Sequence, residues 1–343
     1  MNAKFKYLEQ EINKLPKFDL GYFPTPLQKC PNLEKALNVK NIYIKRDDLT
    51  GLAYGGNKVR HLEFRIGDML KNKYDIFINS DQKISNNSRI NAAACIKAGI
   101  KYINVMSSSH KNDNQGNYLL QKLMNVEIHE IDSNNEEEIE NYCIELGKKL
   151  IQKGHKPYVR PKQEFIKHSS IIGYVSGALE LSKQINKLNL QNIKIYQVAG
   201  NSVVGLSIFK KHCQLDWEIN AISPYLYNSK KDMQEEGIKN GNNVAKLLNL
   251  KLKLDSSDIN YDYNFVGKDY GISTKSSIQA IELLAKTESI FLDPVYTAKS
   301  MNALIEHVNN NKFSPKDNII FIHSGGTPNL FTYAKDLIKN KNK

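Results

Sequence analysis

The feature that most narrows what this chain can become is a repeated alternation of two kinds of segment. Seven short apolar runs are of strand length: NIYIK (41–45), YDIFIN (74–79), KYINVM (101–106), NVEIHEI (125–131), KIYQVA (194–199), EINAIS (218–223) and DNIIFIH (317–323). Between them, apolar residues recur at helical spacing near 57–72, 85–98, 113–124, 135–153, 169–188, 202–212, 230–249, 274–287 and 298–310. Strands separated by helices pair side by side through crossovers, which lay the helices over both sheet faces. The pattern predicts an α/β fold with mainly parallel sheets.

Length and composition bound the rest. At 343 residues with 41% apolar side chains, the chain can bury the cores of about two domains. It has no apolar run long enough to predict a spanning helix. The opening MNAKFKYLEQEINKLPKF is lysine-rich without an apolar leader core, and Cys30, Cys95, Cys143 and Cys213 form no C-x-x-C pair. Reduced thiols in a cytoplasmic protein without a metal site are therefore expected.

The formal charge of +12 raises the question of a nucleic-acid partner, but only five of the 48 basic residues are arginine. Readers of phosphates and bases favour the arginine fork, and the lysines form no long basic block. The charge reads as a solvated lysine-rich surface, with neither nucleic acid nor membrane as partner.

Chemistry concentrates in five stretches. GGNK (55–58) sets Lys58 at a helix start after two glycines, whose freedom at positive φ lets the main chain approach another group closely. A lysine amine can condense with an aldehyde, although a tight turn with a solvated lysine has the same pattern. SNNSRINAAACIKAGI (85–100) opens a small-residue helix with Ser85 and Asn86. VAGNSVVGLSIF (198–209) runs strand, small-residue loop, helix, the arrangement that presents N–H groups to a phosphate. YGI (270–272) and LDPVYTAKSM place Tyr270 and Tyr296 on loops, and FIHSGGTPNLF (321–331) puts Ser324 at a strand's carboxyl end, where α/β sheets gather ligands.

PTPL (24–27), KRDDLTGLAYGGNK (45–58), SN (85–86), GY (173–174), YGI (270–272), DPVYTAKSM (293–301) and HSGGTPNLF (323–331) follow one another in an order that resembles the D-cysteine desulfhydrase and 1-aminocyclopropane-1-carboxylate deaminase family, enzymes dependent on pyridoxal 5'-phosphate. The likeness spans nearly the whole chain. It implies the tryptophan-synthase-β-like fold, fold type II, with two three-layer α/β/α domains. Residues 1–60 with 169–343 would form the larger, 61–168 the smaller, and the cofactor would lie in the cleft between them. A homodimer is implied as well.

Carried onto matching positions, the resemblance makes Lys58 the residue that holds the cofactor's aldehyde and then moves the substrate's Cα proton. Asn57 stands beside it in the cofactor site, Ser85 is the catalytic-site serine, and Asn86 would bond the ring oxygen. Tyr270 and Tyr296 match the paired active-site tyrosines, and Gly200, Asn201, Ser202, Val203 and Val204 would cradle the phosphate. Thr297 and Ser324 are hydroxyl residues where the cyclopropane deaminases carry glutamate and leucine. A hydroxyl near the pyridine nitrogen makes a shallower electron sink than a carboxylate, and expelling a β-thiol demands less of it than opening a cyclopropane. The desulfhydrase branch is the expected one.

The chain also departs from the family. Ile84 stands where relatives carry glutamine, SDQK replaces a glycine-rich approach, and EFIKHSS (164–170) occupies a segment that is glycine- and serine-rich elsewhere. Two enzyme readings, β-replacement and cyclopropane deamination, keep the same lysine and tyrosines. A catalytically weak cofactor- or amino-acid-binding homologue is a further alternative.

Overall fold

The structure, a computed structural model, describes residues 3–108, 114–226 and 230–339. In chain order the strands are β1 (Leu27–Lys29), β2 (Ile42–Lys45), β3 (Ile76–Ser80), β4 (Lys101–Ser107), β5 (Glu127–Ile131), β6 (Pro157–Val159), β7 (Ile193–Val198), β8 (Glu218–Ile222), β9 (Tyr261–Asp262) and β10 (Asn318–Ile322). They form a larger sheet, β1-β2-β10-β7-β8-β9, and a smaller one, β5-β4-β3-β6. Every pairing is parallel except that of β1 with β2.

The helices of the first half are α1 (Ala3–Asn13), α2 (Pro31–Leu37), α3 (Lys58–Lys71), α4 (Asn86–Ala98), α5 (Gly116–Leu123) and α6 (Glu136–Gln152). Those of the second half are α7 (Phe165–Lys187), α8 (Asn201–Cys213), α9 (Lys230–Leu247), α10 (Lys275–Glu288), α11 (Thr297–Asn309), α12 (Pro328–Thr332) and α13 (Ala334–Lys339). All seven expected strands are present, and each of the nine expected helices has a counterpart. Residue 113, where one was expected to begin, lies outside the described residues, as does part of the polar stretch 107–117.

The central strands β2 and β10 are buried along their whole length. One face of the larger sheet meets a core that includes Phe5, Tyr174, Leu206 and Trp217, and the other a core with Leu33, Leu284 and Leu304. The smaller sheet is likewise covered on both sides. Burial on both faces explains why these strands read as continuous apolar runs.

Two helix contacts are set by missing side chains. A Cβ on Gly173 would come within 2.6 Å of the Arg60 carbonyl oxygen, and one on Gly205 within 2.5 Å of that of Ile171. Helix α7 thus lies backbone-close to both α3 and α8. Beneath the first turn of α3 sits a buried ionic network. Arg60 grips Asp47 through Nε (2.9 Å) and Nη2 (2.8 Å) and also donates to Glu180, which pairs with Lys45; Tyr174 and Thr25 donate to Asp47. The field of Arg60 keeps the carboxyl groups of Asp47 and Glu180 below their usual range despite burial. Lys58, two residues from Arg60, stands on this anchored turn.

Helix α3 runs unbroken across the expected boundary at residue 60. Phe64 joins the larger sheet's core, whereas Leu62, Ile66 and Met69 join the smaller one's.

Candidate active site

The segment before Lys58 is a tight knot. Thr50 Oγ1 accepts from the Gly56 N–H at 2.8 Å and lies 3.0 Å from the Gly56 carbonyl oxygen, closing the turn on itself. Gly55 and Gly56 have φ of 64° and 126°. The Asn57 N–H donates to the Ser324 carbonyl at 2.9 Å, and a Cβ on Gly325 would stand 2.6 Å from the Gly56 Cα. The glycine pair was expected to admit the cofactor. In the structure the space it opens is filled by the Ser324–Gly325 main chain, so the glycines bring two protein loops together and fix where Lys58 begins its helix.

Lys58 is half-buried, and its amine has neither hydrogen bond nor ion pair among the described residues. Burial presses its pKa down to about 8; Arg65 adds to that effect and the Asp81 carboxylate opposes it. A much larger share of the amine is therefore neutral near pH 7 than in a free lysine.

Across from it, Ser85 caps α4, its Oγ accepting the Asn87 N–H at 3.1 Å. Asn86 is oriented by a chain of amides that begins at Arg89, fully buried and a donor only. Arg89 Nε donates to Asn117 Oδ1 at 2.7 Å, which forces Asn117 Nδ2 towards Ile84 O (2.8 Å), Asn86 Oδ1 (2.9 Å) and Asn329 Oδ1 (2.9 Å). With its oxygen engaged, Asn86 presents Nδ2, the donor a phenolate oxygen would need. The terminal nitrogens of Arg89 also donate to the carbonyls of Ala53 and Gly55, joining α4 to the lysine turn. Arg89, Asn117 and Asn329 were not singled out from the sequence. Asn117 falls within the expected helix near 113–124 and is 1% exposed at the start of α5.

The loop after β7 leads into α8 through Gly200, at φ 134° with open space where a Cβ would point. No side chain caps this helix and no acidic residue lies in its first turn. The N–H groups of Asn201 and Ser202 find no acceptor among the described residues. Val203 differs from the expected cradle: its N–H is bonded to Gly200 O at 3.0 Å, and its side chain, like that of Val204, is in the core. The open donors are thus at 200–202, including the Ser202 hydroxyl.

Tyr270 and Tyr296 share a hydrogen bond between their hydroxyls, with ring centroids 6.0 Å apart. Burial raises both phenols, and their mutual coupling and Asp81 add to the rise in Tyr296. Both are protonated across the neutral range. Thr297 corrects the expectation. Its hydroxyl is fully buried and donates to Asp293 Oδ1 at 2.7 Å, while the same carboxylate accepts from the N–H groups of Val295, Tyr296 and Thr297. Thr297 therefore belongs to the cap of α11, and its one hydroxyl proton is already given to Asp293. The Ser324 hydroxyl, partly exposed just past the end of β10, has no partner among the described residues.

Packing brings these pieces together. Ile90 Cδ1 lies 3.4 Å from the Cβ position of Gly56, and Ile84 Cδ1 lies 3.5 Å from that of Gly271, next to Tyr270. Asn329 Nδ2 donates to Ile84 O at 2.9 Å. Asp81, at the end of β3, is held by Asn79 (2.8 Å) and Asn87 (2.6 Å), and its charge reaches Lys58, Tyr270 and Tyr296. It too was overlooked, although it sits in the SDQK departure.

The donor set fits pyridoxal phosphate: an unpaired amine for the aldehyde, an aimed amide for the ring oxygen, a free hydroxyl, and an uncapped helix start for the phosphate. Among the described residues no cluster of side chains could hold a metal ion.

Comparison with known proteins gives a consistent picture. Residues 18–325 match the family described as pyridoxal-phosphate dependent enzymes. A Pyrococcus furiosus protein, provisionally named a 1-aminocyclopropane-1-carboxylate deaminase, is 32% identical over 95% of this chain and 97% of its own length. A D-cysteine desulfhydrase of Salmonella newport is 31% identical over 94% and 97%. A solved structure of an ACC deaminase homologue, 30% identical, superposes with a TM-score of 0.86 over 99% of both chains.

Proposed function

We propose, on the premise that this chain belongs to the pyridoxal-phosphate dependent enzyme family, that it eliminates a β-leaving group from a small amino acid, with D-cysteine as the first candidate. The protein is a pyridoxal-phosphate dependent lyase or deaminase of fold type II. The observation that carries the cofactor chemistry is the Lys58 amine, lowered to about pKa 8 on a turn docked to the end of β10, and the choice of a β-leaving group rests on the Ser324 hydroxyl, which stands where the cyclopropane deaminases carry leucine.

When bound, pyridoxal phosphate supplies an aldehyde for an amine and a ring that draws electrons away from the substrate's Cα. In this reading Lys58 would hold the aldehyde, and its amine, when free, would take the substrate's Cα proton. Asn86 Nδ2 and the Ser324 hydroxyl would bond the ring, Asn57 lines the same turn, and the 200–202 donors would hold the phosphate. The tyrosine pair, protonated at neutral pH, suits proton delivery to the departing thiolate rather than proton removal. The Ser85 hydroxyl proton is free to bond the substrate. Overall, D-cysteine and water give pyruvate, sulfide and ammonia.

The reading includes a smaller unit at 61–168, supported by the smaller sheet lying wholly between residues 76 and 159. It also includes a homodimer in the cytoplasm. The four buried free cysteines agree with a reducing compartment, and no helix among the described residues is long and apolar enough to cross a membrane.

The test is to follow sulfide, pyruvate and ammonia from D- and L-cysteine with cofactor-loaded protein. Equal amounts of all three from the D enantiomer support elimination, and no turnover of either enantiomer refutes it. The name of the Pyrococcus furiosus relative favours a second reading, ring opening of 1-aminocyclopropane-1-carboxylate, which would release ammonia and a four-carbon oxo acid without sulfide.

A further inference from the structure

Lys299, in α11, is 1% exposed, and among the described residues no carboxylate lies within ion-pairing distance of it. Its ammonium group instead donates to three main-chain carbonyls, those of Pro224 (3.0 Å), Val266 (2.6 Å) and Asp269 (3.3 Å). An ammonium has three N–H groups, so the set is complete. A buried charge otherwise carries a heavy desolvation cost, and here carbonyl dipoles stand in for water, as they do around a dehydrated potassium ion.

The three carbonyls come from places that matter to the site. Pro224 lies just after β8 and precedes Tyr225, whose ring meets that of Tyr270 edge-on at 5.9 Å. Val266 and Asp269 belong to the connection that ends in Tyr270, and Asp269 Oδ1 also accepts the Tyr270 N–H at 2.6 Å. Lys299 itself is one helical turn beyond Tyr296. One ammonium therefore ties three chain segments beneath the hydroxyl pair of Tyr270 and Tyr296.

We infer that Lys299 is a positioning residue whose ammonium serves as a built-in monovalent cation, holding the Tyr270 connection against α11 so that the two phenols meet. Its consequence for turnover rests on the proposed function, but its consequence for the 263–272 connection does not. Removing the side chain in Lys299→Ala leaves three converging carbonyls and a cavity the size of the lost amine and its stem. Potassium or ammonium ions can bind there, whereas lithium is too small to span the set and tetramethylammonium too large.

The experiment compares wild type and Lys299→Ala by amide hydrogen exchange in potassium, ammonium, lithium and tetramethylammonium chloride at equal ionic strength. Turnover is measured alongside with whichever amino acid the wild type consumes. The expected result is faster exchange over 263–272 in the variant and an activity loss of about 100-fold, the size a misplaced reacting group can produce. Potassium and ammonium should restore both, and the wild type should be indifferent to the choice of cation. Exchange and activity unchanged by the substitution, or rescued equally by all four salts, would overturn the inference. If Lys299→Ala cannot be recovered, Lys299→Met decides: it is of similar length, without charge or room for an ion. Faster exchange confined to 263–272 supports the assignment and unchanged exchange there refutes it. A wild type that turns over no amino acid defeats the proposed reaction, while the exchange data still decide the role of Lys299.

Discussion

Lys58 owes its chemistry to neighbours that contribute no side chain. Gly325 has φ 93°, and its Cβ would stand 2.6 Å from the Gly56 Cα. Gly325→Ala must push the lysine turn off the end of β10. We expect about 1–3 kcal/mol of destabilisation from the strained backbone, and about a 100-fold loss of turnover from the displaced amine. Urea unfolding and steady-state kinetics would measure the two. The amine also has a pH signature. Its pKa is about 8 in the folded protein, so only the neutral fraction condenses with aldehyde. The rate of cofactor attachment to ligand-free protein should rise with pH and level off above about 8, where a solvated lysine would climb to about 10.4. Stopped-flow absorbance against pH distinguishes them. Much of this site was legible in sequence because Lys58, Asn86, Tyr270, Tyr296 and Ser324 lie in short motifs. The helix-capping role of Thr297 through Asp293 was not visible, because a hydroxyl that caps its own helix looks in sequence like one facing a ligand. Asn117 and Arg89 escaped because their work is done across the fold, by hydrogen bonds that no local pattern encodes.

At the scale of elements, α3 is the piece on which the site depends. Its first turn is held from below by Arg60, and the partners of Arg60 come from the loop after β2 and from α7. Removing one partner of a buried pair leaves the other charge uncompensated, so Asp47→Asn should cost about 3–5 kcal/mol. The folded-state pKa values of Asp47 and Glu180 lie below their ordinary ones. Their stabilisation is therefore complete above the unfolded values of about 4 and is lost as pH falls through the folded ones. Unfolding free energies measured downward from pH 6 should fall less steeply in Asp47→Asn than in the wild type. Helix α1 shows what the sequence reading passed over. Its opening was noted as lysine-rich, yet Phe5, Leu8 and Ile12 recur at helical spacing and are buried. Helix α13 (Ala334–Lys339) was likewise not foreseen.

For the molecule as a whole, the parallel sheets could be foreseen because central strands such as β2, β3 and β10 are buried on both faces and so stand out as apolar runs. The three strands not foreseen, β1, β6 and β9, have three, three and two residues. Such short pieces have no period to detect, and the sheet they join decides that they are strands. Convergence of the site across the two sheets was not written in any one segment. It depends on contacts such as Ile84 with Gly271 and Asn57 with Ser324, whose partners lie far apart in the chain. The claim at the centre of the account is that this convergence exists to present one amine to one aldehyde. The most direct measurement is borohydride reduction of protein saturated with pyridoxal phosphate, followed by peptide mass mapping. The account predicts a single stoichiometric phosphopyridoxyl adduct on Lys58, absent in Lys58→Ala. An adduct centred on another lysine, or none at all, would contradict it.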